Sequence, residues 1–563
     1  MKKFILFLGF IFLYSSSFSQ SQRYVLLEEF TSSTCGPCAT ANPGIMQKLQ
    51  QNPDKFTAIF YHVGWPAPGN DPMYLANTAE NNARVGYYNF NTVPRSYIDG
   101  NYYVGNPSGW TMNTINARYA MPSPFELHLR HQISAANDSV YLTMLAKCTQ
   151  AVSGQLVAHN VVIEKLIHFN TPPGTNGERD FNNVMKKMLP NSSGTAIPTP
   201  MVNGDYVLIE TSWAFAGVYD VAQIAAIGFI QSNGNKEIHQ TANSSTDAFA
   251  MAYNNDLQVM TVSDYFPANC EGKVRPVVKI RNNGNNAVTS FTVNYKVNDG
   301  TYSSYTWNGN LPTLGKTFIT LPEYTFTPQA SNTLEIASVN PNNNADEYPK
   351  NDTMRVIFTG GKSTSNILYF SIKTDEKPQE TSYSIIHTNT GEIIKQSAPY
   401  TQALTIYKDT IELPYEGCYS FVINDTGGDG ICCEHGQGSY QLKDSEGSNP
   451  VILQGSHFGY SEGTQFKLDP TGIVPIENPG NLSLYPNPFS GNTTVDFRIK
   501  ITGSTEISLI NPMGQIIKRI DLGVVTAGNH RVELDGSDLK PGIYILRLKT
   551  GSEVYTRKAV ITQ

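Results

Sequence analysis

Two cysteines separated by two residues follow an apolar run near the start of the chain. Residues 24–27 are typical of a buried strand, and a Ser/Thr-rich turn leads from them to Cys35-Gly-Pro-Cys38 and a predicted helix through residues 39–49. A thiol at a helix N-terminus faces unpaired N–H groups and the positive end of the helix dipole, which stabilise its thiolate. The second thiol, one turn inside, can resolve a mixed disulfide. The pattern predicts thiol–disulfide exchange, with Cys35 the more acidic and more exposed thiol.

Two other interpretations of this cysteine pair stay open. A Cys-x-x-Cys pair is also half of a zinc site, and it can be an inert structural disulfide. Zinc would need two further ligands, yet the sequence has no second Cys-x-x-Cys, and His62 is the only nearby histidine. Redox chemistry is therefore the preferred interpretation.

Further residues near the pair strengthen the redox interpretation. Glu29 lies six positions before Cys35, and residues 92–94 are Thr-Val-Pro. On these features the stretch 23–120 resembles the thioredoxin superfamily. The resemblance implies an α/β domain with Cys35 as nucleophile and Cys38 as resolving thiol. It also implies that Glu29 is a buried proton acceptor, that Pro94 belongs to a cis-proline loop contacting the substrate backbone, and that no cofactor is needed.

The sequence departs from that family in two places. Thr34 replaces the usual Trp before the first cysteine, and a Pro/Gly-rich insertion occupies residues 64–72. Beyond the insertion, apolar spacing predicts one helix over residues 74–88. Its outward face is predicted to carry Asn77, Glu80, Asn81 and Arg84, and its inward face Leu75, Ala79 and Ala83.

Length and composition predict several domains in an exported protein. The chain has 563 residues, only 15% of them charged, and a net charge of −7 without any Lys/Arg run. This balance makes nucleic acid an unexpected partner. Residues 1–19 combine two lysines, an apolar stretch and Ser-Phe-Ser, which predicts a signal peptide cleaved before Gln20. No later stretch reaches the roughly 20 apolar residues of a transmembrane helix, so the protein is expected to be extracellular or attached to the outer-membrane surface.

Composition and patterning divide the rest of the chain into an N-terminal α/β domain and several β-sandwiches. We number these modules first to fifth: thioredoxin-like 20–122, β-sandwich 123–250, immunoglobulin-like 256–360, β-sandwich 363–470 and C-terminal 481–563. Alternating residues and Asn-Gly turns support the sandwiches.

The second and third modules resemble known surface proteins. Segments 183–190 and 228–240 carry a likeness to outer-membrane-associated proteins of bacteria that use type IX secretion. The insert at residues 181–190, which contains the first of these segments, is expected to be a short helix or a covering loop. Segments 277–284 and 291–295 resemble immunoglobulin-like adhesion repeats.

The fourth module contains a turn that suits a calcium ion. Asp425 and Asp429 flank a glycine-rich turn, and Asp375 or Glu380 is a candidate distant ligand. Carboxylate oxygens on a tight turn are what Ca²⁺ needs, although the spacing is not that of an EF-hand. A turn without any ion is the equally weighted alternative.

The seven cysteines leave one thiol unpaired. Cys418 is expected to pair with Cys432 or Cys433, with Cys432 as the preferred partner. The sequence does not assign the remaining partners. Cys148 is expected to be a buried free cysteine, and Cys270 stays unassigned.

The fifth module closely resembles the type A sorting domain of type IX secretion. The likeness rests on segments 484–489, 507–514 and 539–548. It implies recognition by the type IX secretion machinery, cleavage, and attachment to the cell surface.

Two hypotheses for function follow. The first is a secreted, cell-surface thiol–disulfide oxidoreductase acting on protein thiol and disulfide substrates. The alternative is a non-enzymatic surface binding or adhesion protein, in which residues 256–469 carry the function and the thioredoxin-like domain is vestigial.

Overall fold

The computed structural model describes residues 20–445, 451–469, 482–499, 501–512, 514–551 and 553–562. The predicted signal peptide, residues 1–19, lies outside the described residues. Within them there are forty strands and four α-helices, so β-sheets dominate and the prediction of several β modules is confirmed. None of the described helices is long and apolar enough to cross a membrane.

The first module alternates strands and helices around the cysteine pair. Its elements are β1 (Val25–Thr31), α1 (Gly36–Gln51), β2 (Phe56–His62), α2 (Pro72–Ala76), α3 (Thr78–Tyr88), β3 (Arg95–Ile98), β4 (Tyr103–Gly105) and α4 (Met112–Tyr119). Strand β1 is parallel to β2 and antiparallel to β3. All seven residues of β1 are buried, which places Glu28 and Glu29 in the interior.

The second module continues the sheet of the first. Its strands are β5 (Phe125–Ile133), β6 (Ser139–Cys148), β7 (Leu156–His168), β8 (Asp180–Leu189), β9 (Thr195–Ile197), β10 (Tyr206–Ala214), β11 (Ile224–Ser232) and β12 (Ile238–Asn243). One nine-stranded sheet has the order β12-β11-β7-β8-β2-β1-β3-β4, with β9 paired to β7. The two modules join where β2 meets β8 in parallel at Phe60 and Val184. Strands β10-β6-β5 form a separate sheet that shares a core with β7 and β11.

The helix predicted over residues 74–88 is wrong in both its continuity and its faces. It is interrupted at Asn77, which ends α2 and caps α3. The residues predicted to face outward include the buried Glu80, Asn81 and Arg84, whereas the predicted inward residues Leu75, Ala79 and Ala83 are exposed. The cause is tertiary, because this face is covered by charged partners from other strands rather than by an apolar core.

The polar face of α3 is buried because its charges are paired. Arg84 donates from Nε and Nη2 to the two carboxylate oxygens of Glu28, at 2.7 and 2.8 Å, and Nη2 also donates to Gln231 Oε1 at 2.8 Å. Two parallel hydrogen bonds between the guanidinium and the carboxylate compensate both charges of this buried pair. Periodicity alone does not show a partner 56 residues away.

Segment 183–190 is also not the predicted helix or loop. Residues 183–189 belong to strand β8, which pairs with β7 along its length. Because β8 also meets β2, the segment is the strand that links the sheets of the first two modules.

The third and fourth modules each contain two facing sheets and one additional two-stranded ribbon. The third contains β13 (Leu257–Ser263), β14 (Ala268–Asn269), β15 (Lys273–Val274), β16 (Val277–Asn282), β17 (Val288–Val297), β18 (Ser303–Leu311), β19 (Lys316–Thr320), β20 (Tyr324–Thr325), β21 (Ser331–Val339) and β22 (Thr353–Gly360). The fourth contains β23 (Lys362–Thr364), β24 (Ile367–Lys373), β25 (Thr381–His387), β26 (Glu392–Gln396), β27 (Ile406–Glu412), β28 (Gly417–Asp425), β29 (Cys432–Cys433), β30 (Gly436–Gln437), β31 (Ser439–Asp444), β32 (Val451–Gly455) and β33 (Ser461–Leu468). Each pair of sheets encloses one apolar core.

The fifth module is a smaller pair of sheets with its own core. Its strands are β34 (Leu482–Tyr485), β35 (Asn492–Ile499), β36 (Gly503–Ile510), β37 (Ile516–Val525), β38 (Gly528–Asp535), β39 (Gly542–Thr550) and β40 (Glu553–Ile561). They form sheets β34-β35-β38 and β37-β36-β39-β40. Residues 470–481, which precede it, lie outside the described residues.

The predicted disulfide between Cys418 and Cys432 is wrong. Cys418 pairs with Cys270 of the third module, and Cys432 pairs with its neighbour Cys433. Cys270 directly follows β14, which packs beside β33. Because β33 pairs with β28, the strand that carries Cys418, the two cysteines come together. Cys432 instead lies in a short ribbon with β30. Cys148 is free and buried, as predicted.

Candidate functional site

Cys35 and Cys38 form a disulfide at the N-terminus of α1. Cys35 is the residue that caps the helix, and the Cys38 N–H donates to Cys35 Sγ at 3.2 Å. The first turn of α1 thus presents one backbone N–H to the first sulfur. In the disulfide form both residues are buried, with Cys35 1% and Cys38 0% exposed, and the greater exposure of Cys35 in the reduced pair stays a prediction.

A loop from the second module covers the cysteine pair. We call residues 169–179, between β7 and β8, the covering loop. The Asn176 backbone N–H donates to Ser33 O at 3.1 Å, and Asn176 Nδ2 donates to Ser32 O and Cys35 O at 3.1 and 3.3 Å. A Cβ on Gly174 would lie 2.1 Å from Ser33 O. The two backbones therefore meet directly, and only glycine fits at that position.

The insertion at residues 64–72 covers the same turn from another side. Asp71 Oδ2 accepts the Ser33 N–H at 2.7 Å and lies 2.7 Å from His62 Nδ1. Burial alone would raise the pKa of Asp71, but attraction to His62 and the hydrogen bonds lower it to about 2. Thr34 donates from its hydroxyl to Pro66 O at 2.8 Å.

Glu29 is a buried carboxyl group on the strand that leads to the cysteine pair. It is 0% exposed, and burial raises its pKa to about 8 despite the hydrogen bond that Ser96 Oγ donates to Oε2. Ser96 in turn accepts from Trp110 Nε1 at 3.1 Å. Among the described residues, Glu29 Oε1 has no hydrogen-bond partner. A pKa near neutrality is what a residue that exchanges protons requires.

Pro94 lies at the same end of the sheet as the cysteines. It is buried, follows a cis peptide bond after Val93, and immediately precedes β3. Since β3 is antiparallel to β1, the start of β3 and the end of β1 meet at one edge. The structure thus places Pro94 and the Cys35 turn at the same end of the paired strands β1 and β3.

The fourth module brings three carboxylates together at the predicted calcium turn. Oxygen atoms of Glu380, Asp425 and Asp429 all lie within 4.8 Å of one another. Asp375 is outside this group and accepts the Lys377 N–H at 2.9 Å. An all-oxygen set of three carboxylates on a tight turn suits Ca²⁺.

The turn itself is organised by Asp425. Its Oδ2 accepts the N–H groups of Gly428, Asp429 and Gly430 at 2.7, 3.2 and 3.2 Å. Burial raises the pKa of Asp425. Both glycines have positive φ, so the turn conformation depends on them.

Sequence reasoning missed the covering loop and the His62–Asp71 pair. The loop's Pro-Pro-Gly-Thr-Asn-Gly run at residues 172–177 signals a turn, but nothing in it shows what the turn packs against. The carboxylate of Asp71 likewise has no spacing motif that links it to Ser33.

A comparison with known protein families gives a match in the C-terminal segment. Residues 483–562 match the family Por_Secre_tail, described as a secretion system C-terminal sorting domain. The fifth module is a sorting domain. The predicted type IX sorting domain is confirmed, and the sorting domain indicates export, attachment to the cell surface and interaction with the secretion machinery. The signal peptide stays a prediction.

The remaining comparisons are weak. A search of curated proteins found no match. HBP35 of Porphyromonas gingivalis is 11% identical over 60% of this chain and 98% of its own, with a TM-score of 0.34. A CARDB domain from Pyrococcus furiosus, solved with di-metal ions, is 17% identical over 20% of this chain and 94% of its own, with a TM-score of 0.17. A tandem repeat of a large adhesion protein is 11% identical over 78% of this chain and 99% of its own, with a TM-score of 0.13. Likenesses this weak say nothing about activity.

Proposed function

We propose that the protein is a thiol–disulfide oxidoreductase that its sorting domain directs to the cell surface. The observation that carries the proposal is the Cys35–Cys38 pair at the start of a buried-strand-to-helix turn, with Glu29 behind it and Pro94 at the same sheet edge. The order of strands and helices in the first module supports the thioredoxin-like interpretation. The sorting domain and the β-sheet modules that make up most of the described chain favour the binding alternative over an enzyme, so the chemistry must be tested directly.

The proposed exchange runs in two steps. The Cys35 thiolate attacks a substrate disulfide, one substrate sulfur leaves as a thiolate, and a mixed disulfide forms. Cys38 then loses its proton and attacks the Cys35 sulfur, which releases the second substrate thiolate and leaves the Cys35–Cys38 disulfide. In its ionised form, which becomes populated as the pH approaches its pKa of about 8, Glu29 is the proposed acceptor for the Cys38 proton. The same steps in reverse oxidise a substrate dithiol.

Disulfide exchange with the mature full-length chain tests the proposal. Reduction of insulin by the pre-reduced protein, followed as a single turnover after removal of the reductant, should fall to the uncatalysed rate in Cys35→Ser. Cys148→Ser removes a thiol outside the site and should behave as wild type. Equal rates in wild type and Cys35→Ser would contradict the proposal.

The three-carboxylate turn favours a second candidate function, calcium-dependent surface binding through the fourth module. Glu380, Asp425 and Asp429 would hold the ion. The positive charge of bound Ca²⁺ would compensate the repulsion between these neighbouring carboxylates. Binding only to the folded state raises the stability by about 2.7 kcal/mol at 100 times the Kd. The melting temperature should therefore be higher in Ca²⁺ than in chelator.

Two variants separate the possible ligand sets. Asp429→Ala should abolish the calcium shift in melting temperature. Asp375→Asn should retain it, because Asp375 lies outside the carboxylate group. A wild-type melting temperature that is the same in millimolar Ca²⁺ and in chelator would leave this region as an ordinary turn.

A further inference from the structure

One asparagine of the covering loop donates hydrogen bonds to three backbone carbonyl groups of the cysteine turn. Asn176 donates to Ser32 O and Cys35 O through its side chain, and to Ser33 O through its backbone. Ser32 O also accepts the Cys35 N–H, and Cys35 O also accepts the Ala39 N–H, so Asn176 supplies an additional donor to each of these oxygens. These are the kind of donors that the backbone of any extended polypeptide supplies.

Further contacts hold the loop against the first module. Glu178 accepts from Asn42 Nδ2 at 2.9 Å through Oε1 and from Asn176 Nδ2 at 2.5 Å through Oε2. Its own N–H donates to Asn176 Oδ1 at 3.0 Å. Thr175 Oγ1 approaches Thr34 O at 3.5 Å. At the turn the loop is fixed by polar contacts to the backbone, whereas at its base Phe169 packs against Phe181 and Tyr219.

Thiol–disulfide exchange requires direct access to sulfur. A thiolate must reach the disulfide sulfur that it attacks, and rates depend on that access. With Cys35 and Cys38 at 1% and 0% exposure, neither sulfur is reachable in this arrangement, in which the covering loop and the insertion both lie against the turn. Polar contacts exchange readily for others of the same kind, so a competing backbone can displace the loop at small net cost.

We propose that the covering loop occupies the place of the substrate, and that the substrate is an extended or unfolded polypeptide whose N–H groups replace those of the loop on the carbonyls of Ser32, Ser33 and Cys35. The inference rests on the proposed redox function. It adds that the site is closed to small disulfides and open to polypeptides that provide backbone donors. The loop therefore gates the reaction by competing with the substrate for the same acceptors.

Alkylation of the reduced full-length protein tests the gate. Asn176→Ala removes the side-chain donors, and Gly174→Val forces the loop away from Ser33 O, where a Cβ would lie 2.1 Å from the oxygen. Thr171→Ala changes an exposed residue of the same loop and is the matched control. The measured quantity is the ratio of iodoacetamide labelling at Cys35 to labelling at the buried Cys148, by peptide mass spectrometry, because global unfolding raises both and leaves the ratio low.

We expect the ratio to rise about tenfold or more in both loop variants, a factor that corresponds to about 1.4 kcal/mol, and to stay unchanged in Thr171→Ala. A ratio equal to that of wild type in both loop variants would overturn the gate. This measurement needs no catalysis, so it stands even where the proposed redox function fails.

A second measurement tests the identity of the displaced ligand. The rates of exchange with an unfolded, disulfide-containing polypeptide and with oxidised glutathione are compared in wild type and Asn176→Ala. We expect the preference for the polypeptide to fall several-fold in the variant, since the small disulfide gains most from an open site. An unchanged preference overturns the substrate assignment, whereas no exchange with either substrate in any variant overturns the proposed function alone.

Discussion

Replacing Glu29 by Gln tests whether this carboxyl group is held neutral inside the protein. Burial raises the pKa of Glu29 to about 8 from the ordinary value of 4.5, and the hydrogen bond from Ser96 offsets the rise only in part. Between these two pKa values the folded protein keeps a proton that the unfolded chain releases. Unfolding is then favoured by proton release.

The contribution of Glu29 to stability therefore falls as the pH rises. Below pH 4.5 both states are protonated, and above that each pH unit costs about 1.4 kcal/mol until the folded group ionises near pH 8. At pH 7 the cost amounts to about 3 kcal/mol. Since Gln carries no charge, Glu29→Gln should match wild type at pH 4 and be more stable by about 3 kcal/mol at pH 7.

Cys148 provides a local probe for this experiment. It is the free cysteine among the described residues, and it is buried in the second module. Other strands of that module belong to the same sheet as β1, which carries Glu29. Labelling of Cys148 by dithiodipyridine across a urea series at pH 4, 5.5, 7 and 8.5, with the disulfides intact, gives the unfolding midpoint at each pH. Asp54→Asn, which alters an exposed carboxylate of the same module, is the control.

The stability difference has a clear refutation and a functional counterpart. A difference between Glu29→Gln and wild type that is the same at pH 4 and pH 7, or a variant less stable at pH 7, would show that Glu29 is ionised in the folded protein. The same variant should lose disulfide exchange by about 10²-fold, the lower range for loss of an acid–base group. Stability gained and activity lost together identify a group retained for chemistry.

Three further outcomes are expected. Arg84→Ala should lower the free energy of unfolding by about 3–5 kcal/mol in the same urea series, because it leaves the buried Glu28 carboxylate unpaired; a loss under about 1 kcal/mol would contradict a buried pair. Non-reducing peptide mapping should find Cys270 joined to Cys418, and Cys270→Ser should cost about 2–5 kcal/mol; a Cys418 peptide linked elsewhere would refute the pairing. Mass spectrometry of the surface-attached protein should find no peptides of the sorting domain, and abundant ones would contradict its removal.

Local patterns predicted the elements around the cysteines, because an apolar run, a Ser/Thr turn and a helix start are encoded within a few residues of each other. The inward face of α3 was not predicted, since Arg84 is buried by Glu28 and Gln231, which are distant in sequence. The partner of Cys418 was missed for the same reason, as Cys270 belongs to another module. Long-range pairing of polar groups carries no periodic signal.

The sheet that joins the first two modules determines how the covering loop opens. Strands β7 and β8 pair up to His168 and Asp180, directly before and after the loop, and β8 is joined to β2. Both ends of the loop are therefore fixed to the sheet that carries the cysteine turn. Displacement is confined to residues 169–179 and needs no separation of modules. A local motion of this kind breaks the polar contacts at the turn and leaves Phe169 packed against Phe181 at the base of the loop. The loop then returns to the same carbonyl groups once the substrate leaves.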